Sequence, residues 1–160
     1  METTRHFVAT VYVVNEGETL LHEHERLDMW LPPGGHIDRD ELPHRTAIRE
    51  VKEETGLAVQ LLQDAHGPRS PTSRPIPQPA TILLEDINVH DDGVGHQHID
   101  FIYFGVTDNR DIEPAPGETS AAAWEWVSKD ALQDEDRFEP DVVALGREAI
   151  AEAASVTASG

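Results

Sequence analysis

A chain of 160 residues can bury a core without covalent staples, and its lack of cysteine excludes a disulfide framework, a thiolate metal site and a thiol nucleophile. Asp and Glu number 31 against 12 Lys and Arg, a formal net charge of -19, and so acidic a surface repels nucleic acid and anionic membranes. The carboxylates run from Glu2 to Glu152 without clustering, which points to adaptation to a salt-rich cytoplasm (a halophilic source) more than to one acidic site.

Taken in chain order, His6 to Val14 is a β-branched and aromatic run, Asn15 to Glu18 a turn, and Thr19 to His24 the return strand of a hairpin. Trp30 to Gly35, with Pro32, Pro33 and two glycines, is a stretch that no helix or central strand is expected to tolerate. Pro43 to Thr55 reads as a helix, with Pro43 suited to its first turn and Gly56 to the residue just past its end. Leu57 to Leu62 reads as a strand. Gly67 to Pro79 holds five prolines and predicts an irregular loop. Strands follow at Thr81 to Asn88 and His98 to Val106, joined by a loop containing Asp91, Asp92, Gly93 and Gly95. Ala121 to Val127 predicts a strand with Trp124 and Trp126 on one face, and Ser128 caps a short helix toward Leu132. Pro140 opens a C-terminal helix to about residue 154, with Val142, Val143, Leu145, Ala149 and Ile150 as its apolar stripe and Ser155 to Gly160 fraying. No repeat or interdomain linker is visible, so residues 1–160 read as one mixed α/β domain of the α+β type. No stretch approaches about 18 apolar residues and nothing resembles a secretory leader, so a cytoplasmic protein is expected.

Within the predicted helix, Glu50, Glu53 and Glu54 fall at i, i+3 and i+4, on one face, with β-carbons roughly 5–6 Å apart. Ala47, Ile48 and Val51 fill the adjoining arc. On this spacing alone, a solvated acidic face is the ordinary reading, because glutamate is a good helix former. The longer pattern overturns it. From Gly35, five residues lead to Glu41 and seven more to Arg49, followed by Glu50, Val51, Lys52, Glu53, Glu54, Thr55, Gly56 and Leu57. This resembles the box of the Nudix family, G-x5-E-x7-R-E-U-x-E-E-x-G-U, with every fixed position filled. A chance match in such a chain is roughly one in a million or rarer at ordinary residue usage. Trp30-Leu31-Pro32 with Gly34-Gly35, and Trp126-Val127-Ser128, extend the likeness over the chain.

The resemblance implies a mixed sheet sandwiched between helices and hydrolysis of a nucleoside diphosphate linked to another moiety. It implies that Glu50, Glu53 and Glu54 bind divalent metal (Mg²⁺ or Mn²⁺), with the Gly34 carbonyl, and with Glu41 directly or through water. Arg49 would orient a box glutamate, and Gly35 and Gly56 would serve the turns that frame the helix. Cations neutralise phosphate oxygens and activate water, but a general base is still needed. The candidates are Glu53 within the box and Glu118 in the loop before the Trp124 strand. Pro33, and Asp38-Arg39-Asp40 where a glycine is frequent, depart from the common pattern without removing a ligand.

Outside the box, His96 and His98 at i, i+2 point the same way from extended chain. A metal site is conceivable there, a surface loop or substrate-contacting edge being the more ordinary reading; similar His-x-His-Ile-Asp segments in some relatives favour a substrate role for His98. Arg69 and Arg74 could clamp a terminal phosphate or simply be solvated. The tryptophans are more readily core than base-stacking. The expected substrate is a small-molecule nucleotide, a nucleoside triphosphate first, with ADP-ribose, a dinucleotide or a nucleotide sugar as alternatives. A catalytically silent metabolite-sensing module is the reading from a different class. A homodimer stays open.

Overall fold

The strand β1 (Thr4–Asn15) is buried on both faces from Val8 to Val14, apart from half-buried Thr10, and this is why its sequence is a continuous apolar run and not an alternation. It pairs in parallel with β7 (Gly93–Val106), in unbroken register from Thr4↔His96 to Val14↔Val106, and antiparallel with β2 (Glu18–His24) and β4 (Gly34–His36). β2 also pairs with β3 (Met29–Leu31) and β8 (Trp124–Ser128), and β7 with β5 (Gln60–Leu61) and β6 (Thr81–His90). The sheet is therefore mixed. This computed structural model describes residues 2–159, and side chains through residue 156.

Alternation along β1 separates two cores. Ala9, Val11 and Val13 face the helix α1 (Pro43–Thr55) and meet its Ala47 and Val51, with Leu20, Leu57 and Tyr103. Tyr12 and Val14 face the helix α2 (Pro140–Ser159) and meet Val142, Leu145, Ala149 and Ile150, with Ile102 and Phe104. Each fully buried aliphatic side chain contributes about 1.5–3 kcal/mol relative to exposure, so the two helices are clamped to opposite faces of one sheet. The sandwich expected from the resemblance is present. Among the described residues no helix is long and apolar enough to cross a membrane.

Several boundaries differ from expectation. The segment from Trp30 to Gly35 is not excluded from the sheet, because β3 and β4 flank Pro32-Pro33. Buried Pro33 needs no N–H of its own there, since its carbonyl accepts the Val11 N–H at 3.0 Å. The strand expected over Leu57 to Leu62 shrinks to β5, since Leu57 and Val59 sink into the α1 core. The loop expected from Asp91 to Gly95 is only a tight turn at Asp91-Asp92, with His90 paired to Gly93. Ala121–Ala123 is a 3-10 turn, with Ser120 Oγ accepting the Ala122 N–H, and the strand begins at Trp124. α2 continues past Ser155 to Ser159, and Gly160 lies outside the described residues. Ser128 Oγ does accept the Ala131 N–H, opening a single 3-10 turn to Gln133. Trp124 is buried and Trp126 half-buried on the α1 side, and half-buried Trp30 lies against Phe138.

Candidate active site

α1 begins at Pro43, where a missing N–H costs nothing, and ends at Gly56, whose φ of 76° puts it in the left-handed region. Gly56 N–H closes on the Lys52 carbonyl at 2.9 Å, and Lys52 Nζ donates to the Gly56 carbonyl. The helix thus presents Glu50, Glu53 and Glu54 as one half-buried row.

Arg49 lies at the centre of the charge array. Its Nε and Nη2 donate to the two oxygens of Glu41 at 2.7 Å each, a two-pronged fork, while Nη1 donates to Glu50 at 3.0 Å and Glu53 at 3.1 Å. The carboxylate of Glu41 also accepts from Thr46 Oγ1 and the Asp38 N–H, which fixes the turn around Asp38-Arg39-Asp40. The hydrogen bonds from Arg49 hold the Glu41 carboxyl down at about 2 despite partial burial, and Asp38 and Thr46 add to that.

Glu54 has no such guanidinium. Burial pushes its carboxyl up to about 8, opposed by the Gly34 N–H that it accepts at 3.1 Å and reinforced by Glu50, Glu118 and Glu53. Burial also raises Glu50, Arg49 partly offsets this, and Glu53 and Glu118 add to it. Exposed Glu118 therefore stands close enough for its charge to be felt by two box carboxylates. It is brought there by the segment before it, in which the Glu113 N–H donates to the Thr55 carbonyl and the Ala115 N–H to the Glu53 carbonyl, both at 2.8 Å.

The two glycines of β4 are close-approach positions. A β-carbon on Gly35 would lie 2.4 Å from a Glu50 oxygen, and one on Gly34 would lie 2.5 Å from the Ala9 carbonyl oxygen. Pro33 O and Ile37 N both bond β1, so by ladder alternation the Gly34 N–H and carbonyl point away from β1, on the side where Glu54 sits. The double proline thus leaves the Gly34 carbonyl turned toward the carboxylates.

The structure brings Gly34, Gly35, Glu41, Arg49, Glu50, Glu53, Glu54 and Gly56 into this one array, with Glu118 at its margin. It does not bring in Arg69 or Arg74, which are exposed on the proline-rich loop; among the described residues neither has a polar contact to the box carboxylates. His98 is half-buried on β7, with its ring 5.3 Å from that of His36, the residue after Gly35. Sequence reasoning missed three parts. Thr46 supports Glu41, the segment Glu113 to Ala115 braces the helix end, and His6 and His36 join His96 and His98. Only the i, i+5 spacing of Glu41 and Thr46 around the helix start hinted at the first. The others depend on chain segments distant in sequence.

The model of the NUDIX domain matches residues 4–146. A Nudix-family hydrolase from Clostridium perfringens has a similar crystal structure, at 30% identity over 94% of this chain and 99% of that one, with a TM-score of 0.76. The fold alone is shared with a MutT protein from Methanosarcina mazei Go1, at 19% identity over 95% and 94% of the two chains and a TM-score of 0.63. Mouse asymmetrical bis(5'-nucleosyl)-tetraphosphatase is 40% identical over 48 residues, 30% of this chain and 33% of that enzyme. The rat enzyme is 36% identical over 58 residues, 36% and 40% of the two chains. The chain thus matches less than half the length of these curated relatives. With the domain match spanning the sheet, α1 and the first turns of α2, the chain belongs to the Nudix family, whose members are hydrolases of phosphorus-containing acid anhydrides. Such hydrolases act on nucleoside diphosphate derivatives and generally use divalent metals.

The residues here fit such an ion. The donors are all oxygens, the class preferred by hard divalent cations. Glu54, half-buried near three other carboxylates with only a backbone N–H in opposition, is a group whose charged form a cation would stabilise. Glu50, Glu53, Glu54, Glu41 and the Gly34 carbonyl could hold the ion.

Proposed function

We propose that the chain is a Mg²⁺-dependent (or Mn²⁺-dependent) hydrolase of the diphosphate linkage in a free nucleotide, with a nucleoside triphosphate as the first substrate to test. One observation carries this reading: Arg49 gathers Glu41, Glu50 and Glu53 into a fixed array beside half-buried Glu54. A silent sensing module has no use for so costly a concentration of carboxylates. The bound cation would neutralise phosphate oxygens and make a water a better nucleophile. The chain's own residues do the rest. Glu50, Glu53, Glu54, Glu41 and the Gly34 carbonyl supply the ligands, and Gly35 keeps the backbone clear of Glu50. Arg49 is a positioning residue, since its guanidinium is taken up by Glu41, Glu50, Glu53 and the His36 carbonyl. Glu53 or Glu118 takes the proton of the attacking water, whose oxygen bonds to phosphorus as the bridging P–O bond breaks. Arg69 and Arg74, on their exposed loop, would meet a terminal phosphate, and their replacement by Ala would raise KM.

The partial match to the murine tetraphosphatases favours dinucleoside polyphosphates as the second substrate class, ahead of ADP-ribose and nucleotide sugars. We also infer a cytoplasmic protein adapted to high salt from its net charge of -19, with no nucleic-acid polymer as partner; homodimerisation is to be read by sedimentation. The deciding experiment is a panel of nucleoside triphosphates, dinucleoside polyphosphates, ADP-ribose and nucleotide sugars with Mg²⁺, scored for released phosphate or pyrophosphate. Near-wild-type turnover in both Glu53→Gln and Glu118→Gln would remove both residues as the base. Tight binding of one compound with no turnover of any would replace this reading with the sensing module.

A further inference from the structure

Four imidazole rings form a closed square on one face of the sheet. His6 and His36 lie 5.0 Å apart between ring centroids, His36 and His98 5.3 Å, His98 and His96 5.2 Å, and His96 and His6 4.6 Å. Strand register puts them there. His6 pairs with His98 and Thr4 with His96 across the parallel ladder, while Val8 pairs with His36 across the antiparallel one. Paired residues share a face, as do residues two apart in a strand, so three neighbouring strands project all four rings to the same side.

One ring nitrogen from each of His6, His96 and His98 lies within 4.8 Å of those of the other two. A tetrahedral ion bonded to imidazole nitrogens at about 2.0–2.1 Å would set them about 3.3–3.4 Å apart. Closing that gap requires side-chain rotation, for which exposed His6 has the most freedom. We propose that His6, His96 and His98 bind a transition cation of the Zn²⁺ class, with His36 beside the fourth position, as a site distinct from the carboxylate array.

The chemistry separates the two sites, because imidazole suits Zn²⁺, Ni²⁺ and Cu²⁺ while carboxylates suit Mg²⁺. The surroundings of His96 favour a ligand. Thr4 Oγ1 donates to the Gly95 carbonyl at 3.3 Å and lies 2.8 Å from His96 Nδ1. A hydroxyl that donates to Gly95 is left to accept the Nδ1–H, which leaves the Nε2 lone pair of His96 for an ion. An anion site is the competing reading, but it would need charged imidazoles. A neutral imidazole instead offers a ring-nitrogen lone pair to a cation. The net charge of -19 likewise favours a cation.

The test is calorimetric titration of the chelator-treated full chain with Zn²⁺ in excess Mg²⁺, paired with the visible absorption of Co²⁺. One equivalent of Zn²⁺ and a tetrahedral Co²⁺ band are expected. His96→Gln/His98→Gln should lose both, and Thr4→Val should weaken Zn²⁺ by about 10- to 100-fold, the usual effect of removing an outer-shell partner. Glu50→Gln/Glu53→Gln should keep both, whatever becomes of the hydrolase. Circular dichroism and melting curves verify that each variant is folded. Zn²⁺ binding that survives in the histidine variant, or that vanishes only in the glutamate variant, would overturn the proposal. So would an absence of Zn²⁺ binding, and inorganic phosphate binding that the histidine variant loses would then assign the cluster to an anion.

Discussion

Arg49 carries one positive charge and donates to three carboxylates, so its role depends on shape as much as on charge. A planar fork can serve Glu41 with two nitrogens and Glu50 and Glu53 with the third, whereas an ammonium is a single point. Arg49→Lys should therefore lower kcat about 10- to 100-fold with little change in KM, the effect of loosening the orientation of ligands; a larger change in KM than in kcat would put Arg49 on substrate instead. Gly35→Ala makes a separate demand, because its β-carbon would sit 2.4 Å from Glu50 Oε1. Weaker Mg²⁺ binding with an unchanged far-ultraviolet spectrum is expected, and calorimetry checks it. His22, on β2, sets an acid limit. Burial against Trp124, and then His24, lowers its pKa from 6.5 to about 4. Above both values neither state binds the proton; between about 6.5 and 4 the unfolded chain binds it and the folded protein does not, so stability falls as pH falls through that window. After allowance for solvent screening the loss is of order 1–2 kcal/mol. His22→Phe should melt above the parent by a margin that grows from pH 7 to pH 4, and a constant margin would remove His22 from the account.

At the scale of elements, α1 is a ligand platform only because both of its ends are held. Its N-terminal residue Leu42 offers no side-chain cap, and Thr46 and Glu41 take over the fixing of that turn. At the other end, Gly56 lets the segment Glu113 to Ala115 approach the last turn, and a β-carbon there would stand 2.6 Å from the Glu113 carbonyl oxygen. Gly56→Ala adds that clash to a left-handed backbone cost of about 1–2 kcal/mol. It should lower the denaturant midpoint and, by shifting the loop that carries Glu118, lower kcat as well. The helix was legible in sequence to the residue, because Pro43, the 3.6-residue apolar stripe and Gly56 are local signals. β4 was not, since three residues after a double proline form a strand only when β1 lies alongside to accept them. The strand expected to begin at Leu57 was too long for a related reason. Its apolar residues satisfy the α1 core, and periodicity cannot distinguish burial beneath a helix from burial in a ladder.

For the whole molecule, charge governs how stability responds to the surroundings. With a net charge of -19 the folded chain repels itself, and the Debye length shortens from about 10 Å at 0.1 M salt to about 3 Å at 1 M. The melting temperature should rise across that range, and a flat or falling curve would count against adaptation to salt. Mg²⁺ should add a further rise at constant ionic strength, as any ligand of the native state does, and Glu54→Gln should reduce it.

The sequence by itself determined the family, the helix that bears the carboxylates and the class of bond proposed to be cut, because those depend on residues within one 23-residue stretch whose spacing is set by helix geometry. Tertiary structure alone decided what stands around that stretch. It brought the segment that carries Glu118 against the end of α1 through hydrogen bonds from Glu113 and Ala115, turned the Gly34 peptide away from β1, and left Arg69 and Arg74 on an exposed loop. It also assembled His6, His36, His96 and His98 from three strands, since strand register, which joins residues some 90 positions apart, is a property of the sheet and not of any local run of residues.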